Sequence, residues 1–116
     1  MAIAVATSRN TMATYYGTQW SWIGLATADP GTTATPSNEA TGGSPAYARK
    51  QTTWGTATAS VITGSAVTVD LPAGTYTFFL YASAATGNVM GDRGTITSST
   101  LPTQGSLIVT PSYVQA

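Results

Sequence analysis

Acid–base chemistry in this chain would have to come from four carboxylates. Asp29, Glu39, Asp70 and Asp92 are its only acidic side chains, and it has no histidine and no cysteine. Glycoside cleavage needs two carboxyl groups across the scissile bond, one of them with a raised pKa. The local sequence predicts other work for each. Asp29 opens the turn Asp29-Pro30-Gly31, where a short carboxylate caps backbone amides, proline sets φ and glycine takes the strained position. Glu39 lies in a polar loop, Asp70 alternates outward beside a turn, and Asp92 forms a surface pair with Arg93. Without histidine the commonest general base and metal ligand is missing, and a Ser–His–Asp arrangement is impossible. With no cysteine either, zinc, copper and haem sites lose their usual ligands, and there is no disulfide framework. A calcium loop needs several clustered oxygen ligands, which no Asp-rich segment supplies. Gly42-Gly43 lacks the Lys-Ser/Thr and the helix of a phosphate cradle. Gly91-Asp92-Arg93-Gly94 reads as a hairpin connection and lacks the Arg-Gly-Asp order of an adhesion motif. The expectation is a protein without catalytic residues, cofactor or metal.

The aromatic residues offer a different chemistry. Trp20, Trp22 and Trp54, with several tyrosines, could stack on a glycan. The competing reading places them in a core or a subunit interface, since each buries a large apolar area.

The elements that would carry these residues follow from periodicity. Ser8 is a candidate N-cap for a short helix over 9–16, stopped at Gly17, with Met12, Tyr15 and Tyr16 on one apolar face. Residues 1–8 precede it as an N-terminal arm. Trp20–Thr27 reads as a strand with Trp20 and Trp22 on one face and Ile23 and Leu25 on the other, hence buried on both sides. Residues 30–47 form a long loop of Thr, Pro, Ser, Asn and Gly, of a length that is usually functional or held in place. Strands are then expected over 47–54, 58–63, 66–71, 75–82, 89–90, 95–101 and 105–114. The 66–71 run alternates cleanly, with Val67, Val69 and Leu71 inward. About seven or eight short strands at turn intervals of roughly 8–12 residues predict an all-β chain. The fold expected is one antiparallel β-sandwich over 1–116, jelly-roll or Ig-like, with one short N-terminal helix.

Composition sharpens the functional question. Charged residues make up 7% of the 116, with Arg9, Arg49, Lys50 and Arg93 balancing the four acids to zero; ordinary soluble domains carry about 25%. A near-neutral free monomer is poorly protected against self-association. Charge is depleted at interface cores, so a surface largely covered by neighbours is the favoured reading. The balance excludes the basic patch that nucleic acid requires. The first residues lack the basic n-region and the apolar length of a signal peptide, and no stretch approaches the ~20 apolar residues of a membrane helix.

Three motifs in fixed order carry a resemblance. They are Ile23-Gly24-Leu25-Ala26-Thr27-Ala28-Asp29-Pro30-Gly31-Thr32; Asn38-Glu39-Ala40-Thr41-Gly42-Gly43-Ser44-Pro45-Ala46-Tyr47-Ala48-Arg49 closing with Thr53-Trp54-Gly55; and Leu71-Pro72-Ala73-Gly74-Thr75-Tyr76-Thr77-Phe78-Phe79 followed by Ala84-Ala85-Thr86-Gly87. None is specific alone; order and spacing over roughly residues 20–90 make the match. With them the chain resembles a family of small virion proteins of actinobacterial tailed phages, described as minor tail, tail-fibre-like or capsid-associated. That family often has histidine where Ala26 stands and a tryptophan near Tyr81.

The resemblance implies a virion structural protein, assembled in the host cytoplasm. The first expectation is a decoration protein, a homotrimer cementing neighbouring capsomers through contacts with itself and the major capsid protein. The assembly contacts expected are Ile3 and Val5 in the arm, and Asp29, Pro30, Asn38, Glu39, Pro45, Tyr47 and Arg49 in and beside the long loop. The second is a tail or capsid fibre module that binds a host-surface glycan through Trp20, Trp22 and Trp54. A tail-tube or terminator component ranks third. Neither nucleic acid nor membrane is an expected partner.

Overall fold

Side-chain alternation along β1 (Trp22–Ala26) sends Ile23 and Leu25 to one face of a sheet and Trp22, Gly24 and Ala26 to the other. The computed structural model describes residues 3–115. Around β1 it places β2 (Lys50–Gln51), β5 (Gly74–Ala82) and β6 (Met90–Leu101), in the antiparallel order β2-β1-β5-β6. Two further antiparallel ribbons pair β3 (Val61–Thr63) with β8 (Ser112–Val114), and β4 (Val67–Leu71) with β7 (Gly105–Val109). Among the described residues the protein is mostly β, with one short helix α1 (Ala6–Gln19), and no sheet closes into a barrel.

Burial on both faces of β1 is what its sequence predicts. Ile23 and Leu25 join Tyr76 and Tyr81 of β5, and Val67, Val69 and Leu71 of β4, in the larger apolar cluster. Leu80, Ala82 and Met90 form a smaller cluster with Trp22 packed on it. The β4 residues alternate buried and less buried as expected, with Val69 and Leu71 wholly inaccessible.

Several expected boundaries differ. The helix starts at Ala6 and runs through Gly17 to Gln19; Val5 is its N-cap and makes no side-chain capping bond. Ser8 therefore lies inside it, and of the expected arm only residues 3–5 precede the helix among those described. Gly17 does not end the helix because it is a contact point: a Cβ there would sit 2.9 Å from Trp54 Cγ and 3.1 Å from Ile62 Cδ1. Gly17→Ala should gain about 1 kcal/mol of helix propensity yet lose more by overpacking, roughly 1–3 kcal/mol. A melting temperature lower by several degrees is expected in thermal denaturation.

The segment Gly91-Asp92-Arg93-Gly94 is not a connection; it runs inside β6, and the chain reverses before it, at residues 83–89. Its glycines mark close approach rather than a turn. A Cβ on Gly91 would fall 2.3 Å from ring atoms of Trp20, and one on Gly94 2.5 Å from Phe79 Cε1. The expected strand over 47–54 shrinks to the two residues of β2. Tyr47 and Arg49 turn their side chains inward, and Thr52 and Trp54 bond elsewhere, to Ser21 and opposite Gly64. The 105–114 run is broken between β7 and β8, where Pro111 is buried and offers only its carbonyl, to Gly64 N–H.

Candidate functional site

The long loop is held rather than free. Thr27 N–H donates to Asn38 O at 3.0 Å and Ala40 N–H to Leu25 O at 3.0 Å, so residues 38–40 lie along the edge of β1 beyond β2. Asp29 caps as expected: its Oδ1 accepts from Gly31 N–H at 2.8 Å. The same carboxylate pairs with Arg93 at 3.2 Å, so the Arg93 guanidinium goes to Asp29, and its neighbour Asp92 receives only the Arg93 backbone N–H, at 2.8 Å. Asn38, at φ 61, donates its Nδ2 to Asp29 O at 3.1 Å. Pro30 is fully buried. Near Pro45, which is exposed, Gln104 accepts from Ser44 N–H at 3.1 Å and donates to Pro45 O at 3.2 Å.

The centre of this fastening is Glu39, Tyr47 and Arg49. Arg49, 5% exposed, meets Glu39 in a two-point fork, Nε to Oε2 at 2.8 Å and Nη2 to Oε1 at 2.9 Å. Two further hydrogens go to Ala84 O at 3.2 Å and Gly87 O at 3.0 Å in the turn before β6. Tyr47 OH donates to Glu39 Oε2 at 2.7 Å and accepts from Leu25 N–H at 3.2 Å. Gly24 makes room, since a Cβ there would lie 2.5 Å from Tyr47 Oη and 3.1 Å from Glu39 Oε2. The hydrogen bond with Glu39 raises the Arg49 pKa, against the opposing effect of burial, so the guanidinium stays charged. Three residues expected as assembly contacts thus spend their polar groups inside the molecule. The reason is the fork geometry, which binds a carboxylate best where water is excluded.

A second centre lies under α1. The Tyr16 ring stacks on Tyr113 at 3.6 Å and 6°, meets Trp54 and Tyr81 edge-on at 6.4 and 6.2 Å, and donates its hydroxyl to Asp92 at 2.5 Å. Trp54 Nε1–H donates to Trp20 O at 3.0 Å. Trp20 and Trp54 pack on the larger cluster and Trp22 on the smaller, so the three expected stacking rings are divided and half-buried rather than joined in one platform.

Burial pushes Tyr81 up to about 12 and raises Tyr16 and Tyr47 further, the latter two also through bonds to Asp92 and Glu39. A tyrosine whose folded pKa exceeds its unfolded value of about 10 contributes stability that is complete below pH 10 and lost as pH rises through the folded value. Cooperative alkaline unfolding is therefore expected, with tyrosinate absorbance and loss of β circular dichroism rising together. Ionisation of these tyrosines near pH 10 in a protein that stays folded would contradict the packing described.

The exterior is sparsely charged, and the Asp29–Arg93 pair still meets solvent, with side chains 55% and 33% exposed. Arg9 turns from α1 to Ser60 Oγ at 2.6 Å and to the carbonyls of Ile3 and Ala4 at 2.6 and 2.8 Å, so Ile3 meets its own helix. Of the charged side chains among the described residues, only Lys50 and Asp70 have no such internal partner. The large exposed apolar side chains are Val5, Met12, Tyr15, Ile108 and Val114. Three of these five belong to α1 or its cap. The expected apolar face of Met12, Tyr15 and Tyr16 is therefore split. The buried stripe contains Ala13, Tyr16 and Gly17, because small residues let the helix approach Trp54, while Met12 and Tyr15 face outward. The Ala13–Gly17 spacing is the one sequence signal that could have revealed this. No three potential metal-ligating side chains come together among the described residues. Comparison with protein-family models, curated proteins and solved structures finds no match to this chain.

Proposed function

We propose that the chain is a structural protein of a tailed-phage virion, a decoration protein bound in many copies to the outer capsid. The observation that carries this reading is the use of charge. Six of its eight ionic side chains, Arg9, Asp29, Glu39, Arg49, Asp92 and Arg93, are committed to contacts within the fold. The exterior left over is hydroxyl-rich, almost neutral and dotted with exposed apolar side chains. Such a surface suits packing beside neighbours, where charge would have to be desolvated, and protects a free monomer poorly. The resemblance of the three motifs to virion proteins points the same way. In this reading the four-stranded sheet and the β4–β7 ribbon are the two layers of a small β-sandwich. The exposed tips at residues 32–35 and 41–46, held from behind by Asp29 and by the Glu39–Arg49 pair, are the parts of the long loop offered to the shell.

Stripping the protein from purified particles and following capsid rupture during heating tests the cementing role. Rupture several degrees lower without the protein, restored on adding it back, is expected. An unchanged rupture temperature would count against it. The glycan-binding alternative has less support, since its three tryptophans are divided between two packed clusters.

A further inference from the structure

Ahead of β3, two consecutive residues that are not glycine stand in the left-handed region. Ala59 has φ 51 and Ser60 has φ 70. Thr58 N–H donates to Val61 O and Val61 N–H to Thr58 O, both at 2.9 Å, so residues 58–61 form a two-residue hairpin. Positive φ at both central positions is the form that Asn-Gly adopts readily. In alanine and serine the Cβ crowds the following carbonyl, and such a conformation persists only where the surroundings over-determine it.

Here the surroundings are three distant segments. Ser60 is 6% exposed and commits its backbone and its hydroxyl to them. Its N–H donates to Asn10 Oδ1 of α1 at 2.8 Å, and its Oγ accepts from Arg9 Nε at 2.6 Å. Its carbonyl accepts from Gln115 N–H, just past β8, at 2.9 Å. Arg9 in turn holds the carbonyls of Ile3 and Ala4. One strained residue thus joins the approach to α1, the helix itself and the exit from β8. The helix has no side-chain N-cap, no acidic residue in its first turn and no basic residue in its last, so it relies on such tertiary contacts.

We propose that this node is a latch. Docked α1 holds the 58–61 turn in its strained form, and the turn in that form holds the end of β8. The two ends of the described chain therefore close and open as one unit, while the four-stranded sheet stays folded. The reason is geometric. With α1 away, Ala59 and Ser60 return to the more populated negative φ, and that rotation turns the Ser60 N–H and carbonyl from their partners together. Tyr113 loses the stacked ring of Tyr16 in the same step. The three-residue pairing of β3 with β8 is too short to persist on backbone bonds alone. The sheet β2-β1-β5-β6 does not run through the node, so opening can stop at its border. The open state uncovers the edges of Trp54 and Tyr81 that meet Tyr16 in the closed one. The latch is a property of the fold and does not depend on the virion reading.

Residue-resolved hydrogen exchange of the full chain under native conditions tests it, with Asn10→Ala as the first variant. Alanine is the better helix former, so a helix independent of the turn would leave the distant amides alone or steady them. The latch predicts the opposite. Amides of β3, β8 and Gln115 should exchange about tenfold faster or more, while those of β1 and β5 stay within about twofold of the parent chain. The double substitution Ala59→Asn, Ser60→Gly keeps the residue-60 N–H and lets the turn hold its φ unaided. In that background Asn10→Ala should accelerate the same amides by less than about threefold, the mark of coupling between the two sites. Exchange at β8 and Gln115 left unchanged or slowed by Asn10→Ala, equal acceleration in both backgrounds, or acceleration reaching β1 and β5 to the same extent would overturn the proposal.

Discussion

Replacing Glu39 by Gln is expected to destabilise the protein by about 3–5 kcal/mol, the cost of leaving a buried ion without its partner. Arg49 would keep its charge with its side chain 4% exposed, and the carbonyls of Ala84 and Gly87 cannot replace a carboxylate. A loss of that size is a large part of the 5–15 kcal/mol that small domains possess. It should appear as a lower urea midpoint and as faster proteolysis within residues 41–46, because Glu39 also receives Tyr47. The double variant Glu39→Leu, Arg49→Met should recover much of the loss, since removing both ions removes the desolvation cost together with the attraction. A single-variant loss below about 1 kcal/mol, the range of solvent-exposed pairs, would show that water reaches the fork.

Tyr16→Ala should cost a comparable 3–5 kcal/mol, as for other large aromatic side chains removed from packed sites. The effect would be greatest at the chain's end. Tyr113 of β8 stacks on Tyr16, and Tyr81 OH donates to Ser112 O at 3.0 Å. With the ring gone, β8 loses its stacked contact with α1, while β3 keeps the contacts of Ile62 and Ser60 with the helix, and hydrogen exchange of the β8 amides should accelerate ahead of the four-stranded sheet. Tyr16→Phe keeps the ring and removes only the bond to Asp92, so a smaller loss of roughly 1.5–3 kcal/mol is expected. Equal losses for the two variants would mean that the hydroxyl, not the ring, organises this centre.

These two centres also show what the sequence makes legible. Alternation at Val67, Val69 and Leu71 is local, and β4 lies where it predicts. The Asp29-Pro30-Gly31 turn is likewise written within three residues, and the carboxylate caps Gly31 as expected. Burial on both faces of β1 was readable from bulky residues at successive positions. The Glu39–Arg49 fork was not, because the partners stand ten positions apart in the loop and nothing in their spacing says the loop doubles back. Gly91 and Gly94 misled for a related reason. A glycine that marks a turn and one that admits a ring from elsewhere look alike until Trp20 and Phe79 are in place. The single apolar face expected of Met12, Tyr15 and Tyr16 is split because Ala13 and Gly17, by their smallness, settle which side of the helix is buried. Local chemistry was visible; pairings that depend on the path of the chain were not.

The charge economy at the base of the functional proposal follows from those long-range pairings. Arg49 is buried in its pair with Glu39 and Arg9 is turned back on its own helix, while Arg93 pairs with Asp29 at the surface, so the sequence positions overstate the unpaired charge available outside. The virion assignment is tested by quantifying the chain by mass spectrometry in gradient-purified particles from a lysate that makes it. Tens to hundreds of copies per particle are expected, in fixed ratio to the major shell protein across preparations. A chain found only in the soluble fraction, with none in the particles, would contradict it.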